Sequence, residues 1–381
     1  MVGAVVAYHL SRLGETGVVV LDARDSAKLP GSTGLAPGFA GQLSATPELA
    51  VLAKESVALY RELPGEVFHP VGCLEVATSA ARLEQAHRDV EHGRGLGIEA
   101  RVLDAPATVA RAPALVNADV ALGGLFIPSD GAAGPTAITQ ALVAASGAEF
   151  RWRTRVHALE TAHGRVVGVR TGDGVLEADQ VVLAAGIWGP VLAATAGVRL
   201  PMVGVQHPYV FTTERPEPYD TPIDTPIVRY PEHTVYTRRH GRAYDMGTYS
   251  HTPLPASPES LDTAEVSFRA DDFGTALERA AELVPAFRGT PQGRRLNGVF
   301  AMTPDELPLA GPSTVPGLWF AEAGWVTHAA GIGRHVANLL LGAGDTAVDP
   351  ARLDPARFDD WDASKIREQS LAHYQGIYDA H

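Results

Sequence analysis

Small and apolar residues near the start of the chain follow helical spacing and lead into an apolar run that ends in a carboxylate. Residues 3–14 place small side chains on one face, and residues 18–21 are Val-Val-Val-Leu before Asp22. Helical spacing predicts an α-helix, whereas a short continuous apolar run predicts a buried strand. We therefore expect a helix, a short turn and a strand in this region.

The spacing of Gly3 and Asp22 is that of a partial dinucleotide-binding motif. In such βαβ units a strand precedes G-x-G-x-x-G, a helix begins there, and a second strand ends in an acid about 20 residues further on. Gly3 stands where the third glycine belongs, which predicts that the first strand and the first two glycines lie before Met1. The alternative is that Gly3 only allows close helix packing and Asp22 only ends a strand.

The remaining pattern alternates between helical and extended segments. It predicts helices over 47–63, 79–94 and 275–285, a helix with Pro135 near its start and a last helix from 327 to Leu341; strands over 71–77, 124–131, 181–188 and 317–324; a meander over 154–178; and antiparallel structure over 201–251. The uninterrupted apolar run at 181–188 is typical of a parallel sheet. The predicted fold class is α/β, with a Rossmann-like domain and a second, mainly antiparallel β-sheet domain.

Two glycine-rich segments are candidates for ligand contact. Residues 30–38 follow the strand-ending acid and include Gly31, Ser32 and Thr33, so their backbone N–H groups and hydroxyls can approach a phosphate or a flat ring closely. An ordinary surface turn is the alternative. A second glycine-rich junction between strand and helix occurs at 324–333.

Composition narrows the class of protein. The 381 residues are 45% apolar, and 31 basic against 44 acidic residues give a net charge of -13, which disfavours a nucleic-acid partner. The single cysteine, Cys73, excludes an internal disulfide and a cysteine-based metal site and suits the cytoplasm. No apolar run approaches the ~20 residues of a spanning helix, so we expect no membrane association. We also expect no metal.

Several of these segments, in this order, carry a family signature. They are the Gly3 helix, Asp22, the Gly-Ser-Thr loop, Ala184-Ala185-Gly186-x-Trp188, Thr303-Pro304-Asp305 and Ala330-Gly331-Ile332-Gly333, together with 72–78, 123–131 and 325–328. The series resembles FAD-dependent amine oxidoreductases of the D-amino-acid oxidase superfamily, and within it dimethylglycine oxidase and the dimethylglycine and sarcosine dehydrogenases. The resemblance implies an FAD-binding domain over 1–70, 131–200 and 295–345 that lacks its N-terminal strand, a substrate domain over 71–130 and 201–294, and a C-terminal tail over 346–381.

The resemblance also implies which residues meet FAD. The pyrophosphate would lie near Gly3, Asp22 would accept from the ribose, Val156 would meet the adenine, and 324–331 would follow the isoalloxazine ring. The full implied set is Gly3, Asp22, Ala23, Gly31, Ser32, Thr33, Leu35, Val156, Gly186, Gly324, Trp325, Thr327, His328, Ala329 and Gly331. His328 is expected to line the ring, with capping of the last helix as the alternative.

One position departs from the covalent members of this group. They carry a flavin-linked histidine where this chain has Leu35. The resemblance therefore implies noncovalent FAD, or attachment elsewhere.

The chemistry of amine oxidation needs a base, because a protonated nitrogen has no lone pair to support an iminium. His207 matches the family's active-site histidine, and Tyr236 matches the tyrosine that lines its substrate pocket. With 14 histidines in the chain, a structural histidine is the alternative for His207, and a core position is the alternative for Tyr236. Arg238, Arg239 and Arg242 are candidates to attract a carboxylate, although a run of charges usually marks a solvated face.

The resemblance implies FAD-dependent demethylation of an N-methylated amino acid such as dimethylglycine or sarcosine, by hydride transfer to the flavin. Oxidation of another secondary amine or amino acid is one alternative. A partner-dependent flavoprotein subunit without activity of its own is another, because 366–381 resembles a segment that leads into a folate-binding domain in longer relatives. The expected partners are the small amine, an electron acceptor and a separate folate-binding domain.

Overall fold

A computed structural model describes residues 1–25, 29, 31–214, 224–344 and 346–378. Some predicted segments extend past these ranges. Pro30 of the glycine-rich loop, residues 215–223 of the antiparallel region, residue 345 and the final residues 379–381 lie outside the described residues.

The helices agree closely with the periodic segments of the sequence. They are α1 (Val2–Arg12), α2 (Ser32–Leu35), α3 (Pro47–Glu62), α4 (Ala80–Gly95), α5 (Ala105–Arg111), α6 (Pro135–Ala145), α7 (Gly189–Ala194), α8 (Ala270–Leu283), α9 (Ala329–Leu341), α10 (Pro350–Leu353) and α11 (Ala363–Gln375). The predictions for α1, α3, α4, α6 and α9 are confirmed, and α8 begins earlier than its predicted start at 275.

The strands are mostly short. They are β1 (Val19–Leu21), β2 (Phe39–Ala40), β3 (Phe68–His69), β4 (Cys73–Ala77), β5 (Arg101–Asp104), β6 (Gly123–Ile127), β7 (Gly131–Ala133), β8 (Glu149–Arg151), β9 (Val156–Ala162), β10 (Arg165–Thr171), β11 (Gly174–Glu177), β12 (Val181–Leu183), β13 (Val203–Thr212), β14 (Ile227–Tyr230), β15 (Val235–His240), β16 (Ala243–Thr248), β17 (Leu254–Ala256), β18 (Gln292–Met302), β19 (Leu309–Pro312) and β20 (Leu318–Glu322). The predicted meander is confirmed as β9, β10 and β11.

Outside the largest sheet, parallel strands form two separate pairs. β1 pairs with β8, and β12 pairs with β20, which is flanked on its other side by antiparallel β19. The prediction of parallel pairing for the apolar run at 181–188 is therefore confirmed, although the strand ends at Leu183 and a 3₁₀ turn over Gly186–Trp188 follows it. In the described part of the chain, neither β1 nor β12 has a strand on its other edge.

A nine-stranded sheet makes up the other half of the fold. From β5 its order is β6, β4, β14, β15, β16, β13, and β13 also pairs with β17 and β18. All of these pairings are antiparallel except the parallel pair β4–β14. The fold class predicted from the sequence is confirmed. Because β18 pairs with β13, the predicted boundary between 294 and 295 runs through a strand, and the division into domains stays a prediction.

Helix α9 is packed between α1 and α3 at glycines. A Cβ on Gly333 would lie 2.5 Å from Val5 Cγ1, and a Cβ on Gly331 would lie 2.6 Å from the Leu52 carbonyl oxygen. Such distances exclude any side chain, so the glycines set how closely the three helices approach. This packing fixes the start of α9 beside the start of α1.

The predicted C-terminal tail contains a docked helix. α11 packs against β13 and β18, and the Tyr374 side chain is fully buried in a cluster with Val205 and Met302. The sequence assigned no structure to these residues because most of the exposed helix surface is polar. Burial of a tyrosine ring of this size anchors the helix onto the large sheet.

A buried carboxyl group joins the β6–β7 turn to the segment after β2. Asp130 Oδ1 accepts hydrogen bonds from the Gln42 backbone N at 3.0 Å and from Gln42 Nε2 at 3.2 Å. Burial raises the pKa of Asp130 to about 7, despite those hydrogen bonds. The folded chain therefore holds a proton that the unfolded chain releases near pH 4.

Asp130→Asn should flatten the dependence of stability on pH. Stability from the protonated carboxyl is fully present below the unfolded pKa and is lost as the pH rises through about 7, by an amount on the order of a few kcal/mol. Asparagine keeps an oxygen acceptor for Gln42 but does not titrate. Urea unfolding from pH 5 to 8 should show the native protein losing stability relative to the variant, and parallel curves would contradict the assignment.

Candidate active site

A cavity of about 1390 Å³ is bounded by both halves of the fold. Its wall includes residues from α1, β1, α2, β12, β13, β18 and the segment 324–328. Pockets for drug-sized ligands typically measure ~300–1,000 Å³, so this one has room for a larger molecule such as a dinucleotide. The lining also includes all three residues of β1 and all three residues of β12.

One end of the cavity suits an anionic, hydroxyl-bearing ligand. Helix α1 begins there without a side-chain cap, so its first N–H groups and the positive end of its dipole favour a phosphate. A Cβ on Gly3 would lie 3.4 Å from Ala184 Cβ, so a larger side chain would crowd β12. The Asp22 carboxylate lines the same end and accepts from the Arg24 backbone N at 2.8 Å, which orients it. These donors and this acceptor fit the pyrophosphate and ribose of FAD.

The segment 324–328 forms a fixed wall. The Tyr60 hydroxyl donates to the Val326 carbonyl oxygen at 2.7 Å, and the Thr327 hydroxyl donates to that of Phe39 at 3.0 Å. A Cβ on Gly324 would lie 2.7 Å from Val2 Cγ2, so glycine allows the segment to approach α1. Burial lowers the pKa of His328 to about 4, which makes its imidazole neutral. A flat ring system fits against such a wall.

Helix α2 is tied to the large sheet. The Ser32 hydroxyl donates to the Val299 carbonyl oxygen at 2.7 Å, and Leu35 faces Gly298. Ser32 and Leu35 of this helix both line the cavity. A leucine side chain offers no nitrogen for a bond to flavin.

The cavity brings together most of the residues that the resemblance implied. Its lining includes Gly3, Asp22, Ala23, Gly31, Ser32, Thr33, Leu35, Val156, Gly186, Gly324, Trp325, Thr327 and His328, and also His207 and Tyr236. Ala329 and Gly331 are not among the lining residues, and the Gly331 N–H donates to the Ser56 hydroxyl at 3.1 Å. Contact of each residue with FAD stays a prediction.

A buried carboxyl group holds the turn after β12. Glu322 Oε1 and Oε2 accept from the backbone N atoms of Ala185 and Gly186, each at 2.7 Å. Burial raises the pKa of Glu322 to about 8, although both hydrogen bonds lower it. Glu322 was not among the site residues predicted from the sequence. A glutamate inside an otherwise apolar strand was the feature that could have indicated it.

His207 and Tyr236 meet in the cavity wall on the large sheet. His207 Nε2 lies 2.8 Å from the Tyr236 hydroxyl, and the two rings are stacked with centroids 5.8 Å apart. Gly247, opposite Tyr236 in the sheet, leaves space for the phenol, because a Cβ there would lie 2.3 Å from the hydroxyl oxygen. Burial lowers the pKa of His207 well below its usual value, and His251 lowers it further. The imidazole is therefore neutral and able to accept a proton.

Arg229 is a site residue that the sequence analysis missed. It lines the same cavity at 7% exposure, and its Nη1 lies 3.0 Å from Glu75 Oε1. Glu75 is shared with Arg82, so one carboxylate serves two guanidinium groups. Arg229 Nε is buried without a hydrogen-bond partner, and the guanidinium carbon lies 4.3 Å from the Tyr378 ring centroid. The signal in the sequence was a charge within the otherwise apolar strand β14.

The three arginines proposed from the sequence lie elsewhere. Arg238 Nε is 3.6 Å from Asp245 Oδ2, and Arg242 Nη1 is 4.0 Å from Glu214 Oε2. None of Arg238, Arg239 and Arg242 is among the residues that line the cavity. The guanidinium that faces the cavity is on the neighbouring strand.

The fold and the cavity together are those of a dinucleotide-binding protein. A family model described as "FAD dependent oxidoreductase" (DAO) matches residues 1–339, so the chain belongs to this family of FAD-dependent oxidoreductases. The family expected from the sequence is confirmed.

Individual relatives agree with this assignment. The chain is 28% identical to human mitochondrial dimethylglycine dehydrogenase over 99% of its own length and 45% of that protein. It is 28% identical to 4-methylaminobutanoate oxidase (formaldehyde-forming) of Paenarthrobacter nicotinovorans, over 94% of the chain and 44% of that protein. The chain thus spans less than half the length of these relatives.

Solved structures share the fold. L-proline dehydrogenase from P. horikoshii superposes with a TM-score of 0.81 at 21% identity, covering 94% of this chain and 95% of that one.

Within the described ranges, no helix is long and apolar enough to cross a membrane, and no cluster of His, Cys, Asp and Glu could hold a metal ion.

Gly331→Ala should destabilise the protein through packing. The added methyl group would meet the Leu52 backbone, which cannot rotate away, so we expect a loss of about 1–3 kcal/mol in the free energy of unfolding. Gly274→Ala in α8 is the matched control, because nothing lies within 4 Å of its Cβ and alanine favours a helix by ~0.5–1 kcal/mol. Chemical unfolding of the native protein and both variants measures the two effects. A Gly331→Ala variant as stable as the native protein would contradict the packing role of Gly331.

Proposed function

We propose that this protein oxidises an N-methylated amino acid, such as dimethylglycine or sarcosine, with noncovalently bound FAD. The observation that carries the proposal is a neutral imidazole and a buried guanidinium on one cavity wall, contributed by His207 and Arg229. The first can accept the proton of an ammonium group, and the second can bind a carboxylate. An amino acid carries both groups.

The names of the relatives support this substrate class. Dimethylglycine, 4-methylaminobutanoate and proline are all carboxylates with a secondary or tertiary amine. The first two carry an N-methyl group, and the name of the second enzyme specifies formaldehyde as a product. Loss of a methyl group as formaldehyde is the outcome expected when an N-methyl iminium is hydrolysed.

The proton of the substrate must leave before oxidation, because only the free amine can donate its lone pair to the iminium. In the proposed function Tyr236 and His207 receive that proton, with His207 Nε2 as the accepting atom. The low pKa of His207 means that the proton does not stay there, since a buried imidazolium lacks water to solvate it. FAD, when bound, supplies the acceptor for the two electrons removed from the substrate.

Arg229 would hold the carboxylate end of the substrate. Its charge is incompletely balanced, because Glu75 also pairs with Arg82. Arg229 lines the cavity, where a planar guanidinium can donate to carboxylate oxygens. A carboxylate there would turn the amine of a short amino acid toward the rest of the pocket.

His207→Gln should slow amine-dependent flavin reduction by about 10²-fold or more, the usual scale for loss of a general base. Glutamine keeps a polar side chain but accepts no proton at neutral pH. The measurement is anaerobic bleaching of the flavin absorbance after mixing FAD-loaded protein with dimethylglycine or sarcosine. An unchanged rate would remove His207 from this role, and a native protein that no amine in the panel bleaches would refute the proposed function.

Arg229→Met should raise the KM for amino-acid substrates by about 30-fold or more, equivalent to ~2 kcal/mol. The bleaching rate of an amine without a carboxylate, such as dimethylaminoethanol, should not change. Arg294→Met is the matched control, because Arg294 is exposed on β18 and is not among the cavity-lining residues. Equal KM values for Arg229→Met and the native protein would exclude the carboxylate role.

A further inference from the structure

A chain of hydrogen bonds continues from His207 away from the cavity. His207 Nδ1 lies 2.7 Å from the Tyr374 hydroxyl, which in turn lies 2.8 Å from His251 Nε2. His251 Nδ1 lies 2.9 Å from the Thr252 carbonyl oxygen. Together with the contact between His207 and Tyr236, this makes a hydrogen-bonded row of four side chains. Their order is Tyr236, His207, Tyr374 and His251.

The Thr252 carbonyl oxygen sets the direction of the hydrogens in this chain. A carbonyl only accepts, so His251 Nδ1 carries the hydrogen and its Nε2, in the neutral ring, accepts from Tyr374. The Gln206 carbonyl oxygen is a second acceptor near the Tyr374 hydroxyl, at 3.2 Å, but His251 Nε2 is nearer at 2.8 Å and would otherwise face the hydroxyl oxygen without a hydrogen between them. The Tyr374 oxygen then accepts from His207 Nδ1–H, and His207 Nε2 accepts from the Tyr236 hydroxyl.

The chain runs from the cavity through the interior toward the surface. Tyr236 and His207 line the cavity, whereas Tyr374 and His251 do not. Tyr374 is fully buried at 0% exposure, and His251, at 8%, lies between the exposed residues Ser250 and Thr252. Burial lowers the pKa of His251, and the hydrogen bond to the Thr252 carbonyl and the charge of Asp272 partly oppose this. A positive charge is therefore better tolerated at the His251 end than at Tyr374.

We infer that Tyr374 and His251 relay the substrate proton from His207 to the outside of the protein. The inference rests on the proposed function, because a relay has a task only where an amine is deprotonated in the cavity. In the described residues no carboxylate is hydrogen-bonded to His207, so an imidazolium formed there would be without a counter-ion. Passing the proton on removes that charge from the buried site.

The transfer conserves every proton. An N–H bond of the substrate ammonium breaks and its hydrogen bonds to the Tyr236 oxygen, while the original Tyr236 hydrogen moves to His207 Nε2. His207 Nδ1–H then breaks and its hydrogen bonds to the Tyr374 oxygen. The original Tyr374 hydrogen moves to His251 Nε2 and makes that ring an imidazolium, which releases one proton to solvent. Tyr374 and His251 are positioning residues in this scheme, because they act through His207 and touch no substrate. The middle of the relay is supplied by α11.

The hydrogen positions can be measured without FAD or substrate. Nitrogen-15 NMR of histidine-labelled protein should show His207 and His251 both neutral with the hydrogen on Nδ1, whereas free neutral histidine favours Nε2. In Tyr374→Phe, His207 should revert to the Nε2–H form and His251 should not. A native His207 with its hydrogen on Nε2 would overturn the assigned direction and the relay with it.

Kinetics test the transfer itself. Tyr374→Phe and His251→Ala should each slow amine-dependent flavin bleaching at least 10-fold, within the range of effects for proton-transfer groups, with the flavin spectrum unchanged. Added imidazole should restore His251→Ala but not Tyr374→Phe. Tyr230→Phe is the control, since it also removes a buried hydroxyl that donates to carbonyls but lies on another cluster.

The results separate this inference from the proposed function. Native bleaching with unchanged rates in Tyr374→Phe and His251→Ala would overturn the relay and leave the amine oxidation intact. Slowing in all three variants alike, without rescue by imidazole, would show a structural role only and would also overturn the relay. If no amine bleaches the flavin of the native protein, the proposed function fails. The relay then has no proton to carry, even if NMR finds the hydrogens of His207 and His251 where they are expected.

Discussion

The double hydrogen bonding of the His207 imidazole is the interaction on which the site depends. Each ring nitrogen meets a tyrosine hydroxyl, Tyr236 on one side and Tyr374 on the other, and the imidazole is buried. Such groups are expensive to bury unless all partners are present, so β13, β15 and α11 must each be in place. The C-terminal helix α11 is therefore hydrogen-bonded to a residue of the cavity wall. The site thus depends on this helix as well as on the strands of the large sheet.

The cavity is lined by both charged and neutral polar groups. The start of α1 and the Asp22 carboxylate fit a phosphate and a ribose, and Arg229 fits a carboxylate. His207 and His328, which also line the cavity, are neutral because burial lowers the pKa of each. The proposed function uses both kinds of group, since it needs a charge to hold a carboxylate and a neutral base to take a proton.

Much of the fold was predictable because local pattern and tertiary role agree. The helical spacing of α1 and α3, the apolar run of β12 and the breaks at Gly172 and Gly174 are properties of adjacent residues. The site was less predictable. Arg229 was missed because a charge on a strand reveals its role only when Glu75, from another strand, is seen to pair with it. Gly331 was expected at the cofactor; the structure adds that it packs closely against the α3 backbone, a contact between helices that the sequence did not indicate.

The amino-acid sequence by itself determined the family, the α/β class, most helices and the pairing of a histidine with a tyrosine as candidates for chemistry. The fold class and the helices follow from the spacing of apolar residues and from the order of short motifs, whereas the family, the histidine and the tyrosine follow from the resemblance that those motifs carry. Only the tertiary structure decided which groups meet. Tyr374 and His207 are 167 positions apart in the chain, and their contact depends on how α11 packs on the sheet. Hydrogen bonds between remote residues are set by packing, and no local pattern encodes them.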